Sequence, residues 1–258
     1  MKSVEKRIRQ TMYACGQLML DAHGADKEIA EKSGEANFVT KYDREIQRIL
    51  RQQLGEIMPE AHFVGEEEET HESVASGYAF VVDPIDGTTN FIMDYRCSVI
   101  SVGLLKDGKP YMGMIYNPYM DELFYAKKGA GAYVNDRRIF ATNRHLSDTI
   151  VLFGSSPYIR EYSDASFDYL RRLFYKALDV RRSGAAAWDL CSIAAGRAGV
   201  FFEMNLQPWD IAAGAVLIEE AGGIITTLEK NPLSFDGPCS VLAAGKTVFE
   251  ELPDFYEW

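Results

Sequence analysis

The apolar positions of the first 60 residues follow a helical period. Between residues 4 and 22 they recur at Val4, Ile8, Cys15 and Met19, which predicts an N-terminal helix. A polar stretch at residues 24–35 is expected to be a mobile loop. Thr40 and Asp43 fit a capping box, so a second helix is predicted to begin there. Its apolar face continues through Ile46, Ile49, Leu50 and Leu54.

The period then changes to that of β-strands. Strands are predicted at residues 78–82, 97–105, 111–116 and 122–126. Turn-forming pairs, Asp107-Gly108 and Asn117-Pro118, separate several of them. Because the links between consecutive strands are short, the sheet is expected to be antiparallel.

Strands and helices alternate in the second half. Strands are predicted at residues 150–154, 200–203, 223–227 and 240–244, and helices at residues 164–176, 185–195 and 209–221. Gly196 and the pair Gly222-Gly223 are suitable helix stops. The predicted class is therefore α+β passing to α/β. Two halves are expected, at residues 1–145 and 146–258, with most candidate metal ligands in the first.

The composition narrows the class of protein. The chain has 258 residues, 47% of them hydrophobic, which is enough for a full core. Its four cysteines and four histidines are scattered, so reduced thiols are expected and zinc is disfavoured. No apolar run reaches about 18 residues, and the N-terminus has no signal-peptide core. A cytoplasmic protein is the resulting expectation.

The net charge of −11 restricts the partners. An acidic surface repels nucleic acid and anionic membranes, so neither is expected as a partner. It also repels phosphorylated substrates. If phosphate is bound, metal ions must reverse the local charge.

The strongest candidate for chemistry is the segment VVDPIDGTTNF at residues 81–91. A buried strand is predicted to end at Asp83, and the rigid turn that follows carries Asp86. Neighbouring carboxylates repel each other unless a cation joins them, and magnesium favours such hard oxygen ligands. Taken alone, the segment also fits a surface turn. A calcium loop is excluded, because it needs Glu where the chain has Met93.

Two distant segments add further carboxylates. Glu66 follows the apolar residues 62–64 and opens a run of four glutamates, which alone fits a solvated charge run. Asp210 begins an apolar helix, where a helix cap is the simpler interpretation. Together, these residues and the Asp83–Asp86 turn could supply a site for two or three magnesium ions. The sequence has no nucleophile motif, Walker loop or dinucleotide-binding motif.

These segments resemble the inositol monophosphatase family of magnesium-dependent, lithium-sensitive sugar phosphatases. The resemblance covers nearly the whole chain. It depends on NFVT with Asp43, on GEE at residues 65–67, on DPIDGTTNF and on WDIAAG at residues 209–214. It implies a layered α-β-α-β-α fold and a homodimer.

The resemblance also implies roles for the metal-site residues. Glu66, Asp83, Asp86 and the carbonyl of Ile85 would hold the first, activating metal. Asp86 and Asp210 would share a second ion, which lithium would replace. Thr88 and Glu66 would orient the attacking water.

Further residues are implied to contact substrate. The N–H groups of Gly87 and Thr88 would hold the phosphate. The polyol would be contacted by Gly184, Ala185, Ala186, Glu203, Ser155 and Asp210. The structural alternatives are that Gly184, Ala185 and Ala186 only form the entry to a helix. Glu203 could be a surface residue of a strand.

Departures from the family pattern concern three positions. Animal members carry an aspartate at the position of Asn37, where it assists the threonine beside the attacking water. Asn37 can hydrogen-bond but cannot accept a proton, so the base partner of that threonine stays open. Ala185 replaces a threonine of some members, and Lys32 matches a lysine of the mobile loop.

The predicted function is hydrolysis of myo-inositol 1-phosphate to inositol and phosphate by metal-activated water. The alternatives are a phosphatase of the same fold acting on histidinol phosphate, fructose 1,6-bisphosphate or a nucleotide 3'-phosphate, and a metal-binding regulatory protein without turnover. The last is disfavoured because every implied metal ligand is present, as is Thr88.

Overall fold

The structure, a computed structural model, describes residues 2–32 and 37–255. The described residues contain seven α-helices: α1 (Lys2–Asp21), α2 (Lys41–Ile57), α3 (Thr88–Ile92), α4 (Ser163–Phe174), α5 (Ala186–Ala194), α6 (Pro208–Glu220) and α7 (Lys246–Glu251). Short 3₁₀ turns lie at Leu146–Asp148 and Arg160–Tyr162. Five of these helices, α1, α2, α4, α5 and α6, confirm the predicted ones, and α2 continues to Ile57, three residues past the last predicted apolar position.

The strands form one two-stranded, one five-stranded and one seven-stranded sheet. The first nine strands are β1 (Ala30–Glu31), β2 (Phe38–Val39), β3 (His62–Gly65), β4 (Tyr78–Asp86), β5 (Val99–Lys106), β6 (Lys109–Asn117), β7 (Glu122–Lys127), β8 (Gly131–Val134) and β9 (Arg137–Arg138). The remaining five are β10 (Ile150–Phe153), β11 (Asp179–Arg181), β12 (Val200–Leu206), β13 (Ile224–Thr226) and β14 (Cys239–Ala244).

The seven-stranded sheet runs β3 to β9 in chain order. Strands β4 to β9 pair antiparallel, as the short links predicted, and β3 is parallel to β4. The prediction that β4 ends at Asp83 is wrong, since the strand extends to Asp86 through a register shift. Pro84 lies within this shift and has no N–H for the ladder, which accounts for the irregularity.

The five-stranded sheet has the order β11-β10-β12-β14-β13. Strand β10 is parallel to β11 and β12, whereas β14 pairs antiparallel with β12 and β13. The sheet of the second half is thus mixed, with parallel and antiparallel pairs.

Side-chain alternation along the strands places a helical layer on each side of both sheets. Phe201 of β12 belongs to the core shared with α5 and α6, whereas its neighbours Val200 and Phe202 pack towards α4 and α7. In the seven-stranded sheet, Val81 faces α6, and Phe80 packs with α1 and α2. The layer order is therefore α-β-α-β-α, which confirms the predicted arrangement.

The loop predicted at residues 24–35 contains an unexpected strand. Ala30–Glu31 pairs with Phe38–Val39, and the N–H of Lys32 donates to the carbonyl of Asn37 over 2.8 Å. Residues 33–36 lie outside the described residues, so the mobility of this loop stays a prediction. The capping box at the start of α2 is confirmed, because Thr40 and Asp43 exchange both of its bonds.

All four cysteines are free thiols, as expected. No helix within residues 2–32 and 37–255 combines the length and the hydropathy needed to cross a bilayer.

Candidate active site

Three aspartates converge where β4 meets the start of α6. Asp83, Asp86 and Asp210 each offer a carboxylate oxygen within 4.8 Å of the other two. Local bonds orient two of them: Asp83 Oδ1 accepts the N–H of Ile85 over 2.9 Å, and Asp210 Oδ2 accepts the N–H of Gln207 over 2.7 Å. Each keeps an oxygen free of these bonds for another ligand.

Asp86 is also bound by the first turn of α5. The N–H groups of Ala186 and Ala187 donate to its two carboxylate oxygens over 3.2 and 2.8 Å. The start of a helix favours a negative charge at this place. Gly87 follows at φ +85°, where a Cβ would lie 3.0 Å from the Cys97 carbonyl, so glycine is required.

Burial disfavours the ionised form of all three aspartates when no cation is bound. It raises the pKa of Asp86 to about 7, against the lowering effect of the α5 N–H groups. It raises the pKa values of Asp83 and Asp210 well above their usual range, and Glu66 adds repulsion at both. A divalent cation would relieve this repulsion, and the donor set consists of the hard oxygens that magnesium prefers. The residues therefore fit a metal centre.

Glu66 and the three aspartates line one cavity, but Glu66 is not part of the aspartate cluster itself. Its Oε1 accepts from Lys32 Nζ over 2.8 Å, and Lys32 also contacts Glu67. Burial lowers the pKa of Lys32, but the two glutamates outweigh it and raise the pKa overall. Lys32 therefore stays charged and supplies a cation at this edge of the cluster.

Thr88 has a carboxylate partner that the sequence did not identify. Its Oγ1 lies 3.3 Å from Asp43 Oδ1 and 3.1 Å from the Ile85 carbonyl. The other oxygen of Asp43 accepts from the N–H and hydroxyl of Thr40. The base partner of Thr88 was left open because of Asn37, and the structure places the Asp43 carboxylate in contact with this hydroxyl. Burial raises the pKa of Asp43 to about 6.

Two adjoining cavities surround these groups. The acidic cavity, of about 250 Å³, is lined by Lys32, Asn37, Glu66, Asp83, Ile85, Asp86, Gly87, Thr88, Tyr158, Gln207, Trp209 and Asp210. The second, here the outer cavity, has about 280 Å³ and shares Asp86, Gly87, Thr88, Tyr158 and Asp210 with the first. A molecule bound in the outer cavity would therefore reach the aspartate cluster.

Most of the predicted substrate contacts line the outer cavity. Gly184, Ala185, Ala186 and Glu203 do so, although the Ala186 N–H is already bound to Asp86. Ser155 does not line it. Instead its Oγ accepts from Arg182 Nε over 3.2 Å, and Arg182 lines the cavity.

The remaining lining residues were not identified from the sequence, and they include Asn90, Tyr158, Arg182 and Asp189. Asn90 lies within the DPIDGTTNF segment and donates to the carbonyls of Cys97 and Ser183, which ties α3 to the loop before α5. Asp189 is 3% exposed, and burial raises its pKa well above the usual range. An acid inside a helix that is otherwise apolar except for Ser192 was the signal that could have found it.

Comparison with known proteins agrees with this geometry. The model of the inositol monophosphatase family matches residues 1–253. A putative Nus factor SuhB of Neisseria meningitidis serogroup B is 38% identical over 215 residues, which are 83% of this chain and 82% of that protein. A fructose-1,6-bisphosphatase/inositol-1-monophosphatase of Aquifex aeolicus is 37% identical over 231 residues, 88% of this chain and 87% of its own.

A solved structure extends the likeness to the fold. The extragenic suppressor protein suhB of Bartonella henselae superimposes with a TM-score of 0.90 at 34% identity, covering 97% of this chain and 96% of that one. The resemblance inferred from the four sequence segments is thereby confirmed. The chain belongs to the inositol monophosphatase family and is a hydrolase that acts on phosphomonoesters.

Proposed function

We propose that the protein hydrolyses myo-inositol 1-phosphate to inositol and phosphate in a magnesium-dependent reaction. The observation that carries the proposal is the convergence of Asp83, Asp86 and Asp210 in the acidic cavity, where Asp86 and Asp210 also line the outer cavity. A phosphate ester with its phosphorus in the acidic cavity would place its leaving group in the outer cavity.

The metal ligands are proposed from the same geometry. Asp83, Asp86, Glu66 and the carbonyl of Ile85 would hold one magnesium ion, and Asp86 and Asp210 a second. Magnesium at these positions supplies Lewis-acid activation of water and neutralises charge on the phosphate and leaving oxygens. Glu66 would exchange its Lys32 contact for a metal ligand, since Lys32 retains Glu67 as a partner.

The chain's own groups would position the reactants. The Thr88 hydroxyl, held between Asp43 and the Ile85 carbonyl, is placed to orient the attacking water together with Glu66. The N–H groups of Gly87 and Thr88 lie at the start of α3 and would bind phosphate oxygens. Ionised Asp43 would accept the Thr88 hydroxyl proton as a hydrogen bond, which leaves a Thr88 lone pair for the water.

The lining of the outer cavity supports a polyol as the leaving group. Buried Glu203 and Asp189 are acceptors for hydroxyl groups, and burial raises the pKa of Glu203 to about 7. Among the described residues that line this cavity, Arg182 is the only one with a cationic side chain. A second phosphate, as in fructose 1,6-bisphosphate, would meet mostly acidic groups, which favours a monophosphate.

The experiment is a measurement of phosphate release by metal-stripped protein with and without added magnesium. We expect turnover only with magnesium, and a higher kcat/KM for myo-inositol 1-phosphate than for histidinol phosphate, fructose 1,6-bisphosphate or a nucleotide 3'-phosphate. A preference for one of those three would replace the substrate assignment but keep the metal chemistry. Absence of magnesium-dependent release from all four substrates would refute the proposal.

Two family properties are also proposed for this chain. The first is inhibition by lithium, which would compete at the Asp86–Asp210 metal position. The second is a homodimer, to be tested by light scattering against the 29.0 kDa mass of one protomer. A cytoplasmic location stays a prediction.

The Neisseria meningitidis relative is named a putative Nus factor, and that name concerns that protein alone. The net charge of −11 disfavours direct contact with nucleic acid by this chain. Filter binding with single- and double-stranded RNA and DNA at low salt is expected to show no retention.

A further inference from the structure

Tyr158 occupies the junction of the two cavities without an assigned role. It is one of the five residues that line both cavities, with Asp86, Gly87, Thr88 and Asp210. The other four are proposed to bind metal or phosphate. Tyr158 is 51% exposed, so its side chain is accessible to a molecule that enters.

The backbone beside Tyr158 is anchored to β12. Ser156 adopts φ +42°, and its N–H and hydroxyl both lie within hydrogen-bond distance of Glu203 Oε1, at 2.9 and 3.3 Å. The Gly154 N–H donates to the Phe202 carbonyl over 2.9 Å. The Ile159 N–H donates to the Ser156 carbonyl over 2.9 Å and closes the turn that contains Tyr158.

Gly154 strengthens this anchor by its small size. A Cβ at this position would lie 1.9 Å from Glu203 Oε2, so the carboxylate packs directly on the glycine backbone. Glu203 is 8% exposed and has one oxygen committed to Ser156. The loop therefore holds the backbone at Tyr158 in a fixed place relative to β12.

The surroundings of Tyr158 favour a hydrogen-bond donor. Partial burial and the nearby carboxylates of Asp210, Glu66, Asp86 and Glu203 raise the pKa of its phenol. The hydroxyl is protonated at neutral pH, as an ordinary phenol already is. In a region where the other side chains are mainly acceptors, it can donate to an oxygen of a bound molecule.

We propose that Tyr158 is a specificity-determining residue whose hydroxyl donates a hydrogen bond to a hydroxyl oxygen of the polyol leaving group. The polyol passes this side chain where the acidic cavity opens into the outer cavity. This inference rests on the proposed function, since it requires a phosphomonoester with a hydroxylated leaving group. The contact would be made to the leaving group, so it would be absent from substrates whose leaving group has no hydroxyl.

The test compares Tyr158→Phe with the wild type on two substrates. One is the polyol phosphate that the wild type hydrolyses best, and the other is 4-nitrophenyl phosphate, whose leaving group carries no hydroxyl. We expect kcat/KM to fall roughly fivefold or more on the polyol phosphate, mainly through KM, as loss of one neutral hydrogen bond implies. On 4-nitrophenyl phosphate we expect a change of less than about twofold.

The matched control is Tyr175→Phe, which alters an 80% exposed tyrosine outside both cavities and should change neither substrate. Equal losses on the two substrates, or no loss on the polyol phosphate, would overturn the role of Tyr158. Either result would leave wild-type magnesium-dependent hydrolysis intact, and therefore the proposed function. Failure of the proposed function would show instead as a wild type without phosphatase activity.

Discussion

Asp86 is the residue of the site that binds the start of α5 and lies beside the other two aspartates. It ends β4, accepts from two N–H groups of α5 and lies within 4.8 Å of Asp83 and Asp210. In the proposed mechanism it would be the ligand common to both metals. The reaction should therefore be more sensitive to this carboxylate than to any other.

Asp86→Asn is expected to lower kcat by about a thousandfold or more, because an amide cannot bridge two cations. Far-UV circular dichroism should be unchanged, since the side chain keeps its shape. The control is Asp168→Asn, which replaces a partly exposed aspartate on α4 that lines neither cavity. Activity of Asp86→Asn equal to that of the wild type at saturating magnesium would be incompatible with the assignment.

Asp43 allows a second test at the residue scale. Asp43→Asn is expected to lower kcat about tenfold to a hundredfold, because Thr88 loses its charged acceptor. Asn37→Asp, which restores the family's aspartate, is expected to change kcat by less than about twofold. The measurement is kcat for both variants at saturating magnesium and substrate. The reverse order of effects would return the role to position 37.

The sequence predicted the aspartates of the site because their motifs are local and specific. It missed the contact between Asp43 and Thr88 because a carboxylate has two oxygens and only one of those of Asp43 bonds locally. The capping bond spans three residues, whereas the contact with Thr88 spans 45. A contact of that kind follows from packing, which a local pattern does not contain.

At the scale of elements, α6 determines where Asp210 lies. Its backbone packs directly on the seven-stranded sheet: a Cβ at Gly113 would lie 2.3 Å from the Ala213 carbonyl oxygen, and one at Gly103 2.7 Å from the Ala212 Cβ. These glycines therefore let the helix approach closely enough for Asp210 to meet Asp83 and Asp86. The sequence predicted helix α6 and the strands beneath it, but it did not indicate how closely the helix packs on the sheet.

Gly113→Ala is expected to destabilise the fold by about 1–3 kcal/mol, since the added methyl meets rigid backbone. Chemical denaturation measures this change, and magnesium affinity should fall with it as α6 shifts. Gly55→Ala is the control, because nothing lies within 4 Å of its added Cβ in helix α2. It should stabilise the protein by roughly 0.5–1 kcal/mol. A neutral Gly113→Ala would contradict the close packing.

The longer elements followed from periodicity, whereas several short ones did not. Strands β8, β9 and β11 have two to four residues, too few for a pattern to stand out. They form because neighbouring strands offer free hydrogen-bonding edges. The mixed direction of the five-stranded sheet was missed for a similar reason, because strand direction depends on the long-range path of the chain.

At the scale of the molecule, the fold gathers carboxylates that its own burial penalises. Asp86, Glu67 and Glu203 each have a pKa raised to about 7 by burial, against about 4 when unfolded. A group whose pKa is raised on folding contributes its full stabilisation at pH values below its unfolded pKa. That contribution is lost as pH rises through the folded pKa.

The melting temperature of the metal-free protein is therefore expected to fall between pH 5 and pH 8. Magnesium should restore more stability at pH 8 than at pH 5, because fewer protons compete with it there. Differential scanning calorimetry with and without magnesium measures both effects. Asp210→Asn should flatten the metal-free slope, and a melting temperature that rises with pH in the metal-free wild type would contradict the electrostatic account.

The central claim is that carboxylates from distant parts of the chain meet around divalent cations. The most direct measurement is anomalous diffraction from crystals soaked in manganese, which replaces magnesium at oxygen sites. We predict anomalous peaks bounded by Asp83, Asp86 and Asp210, with none there in Asp86→Asn crystals. Wild-type crystals with no peak between these aspartates, at a manganese concentration that supports turnover, would contradict the account.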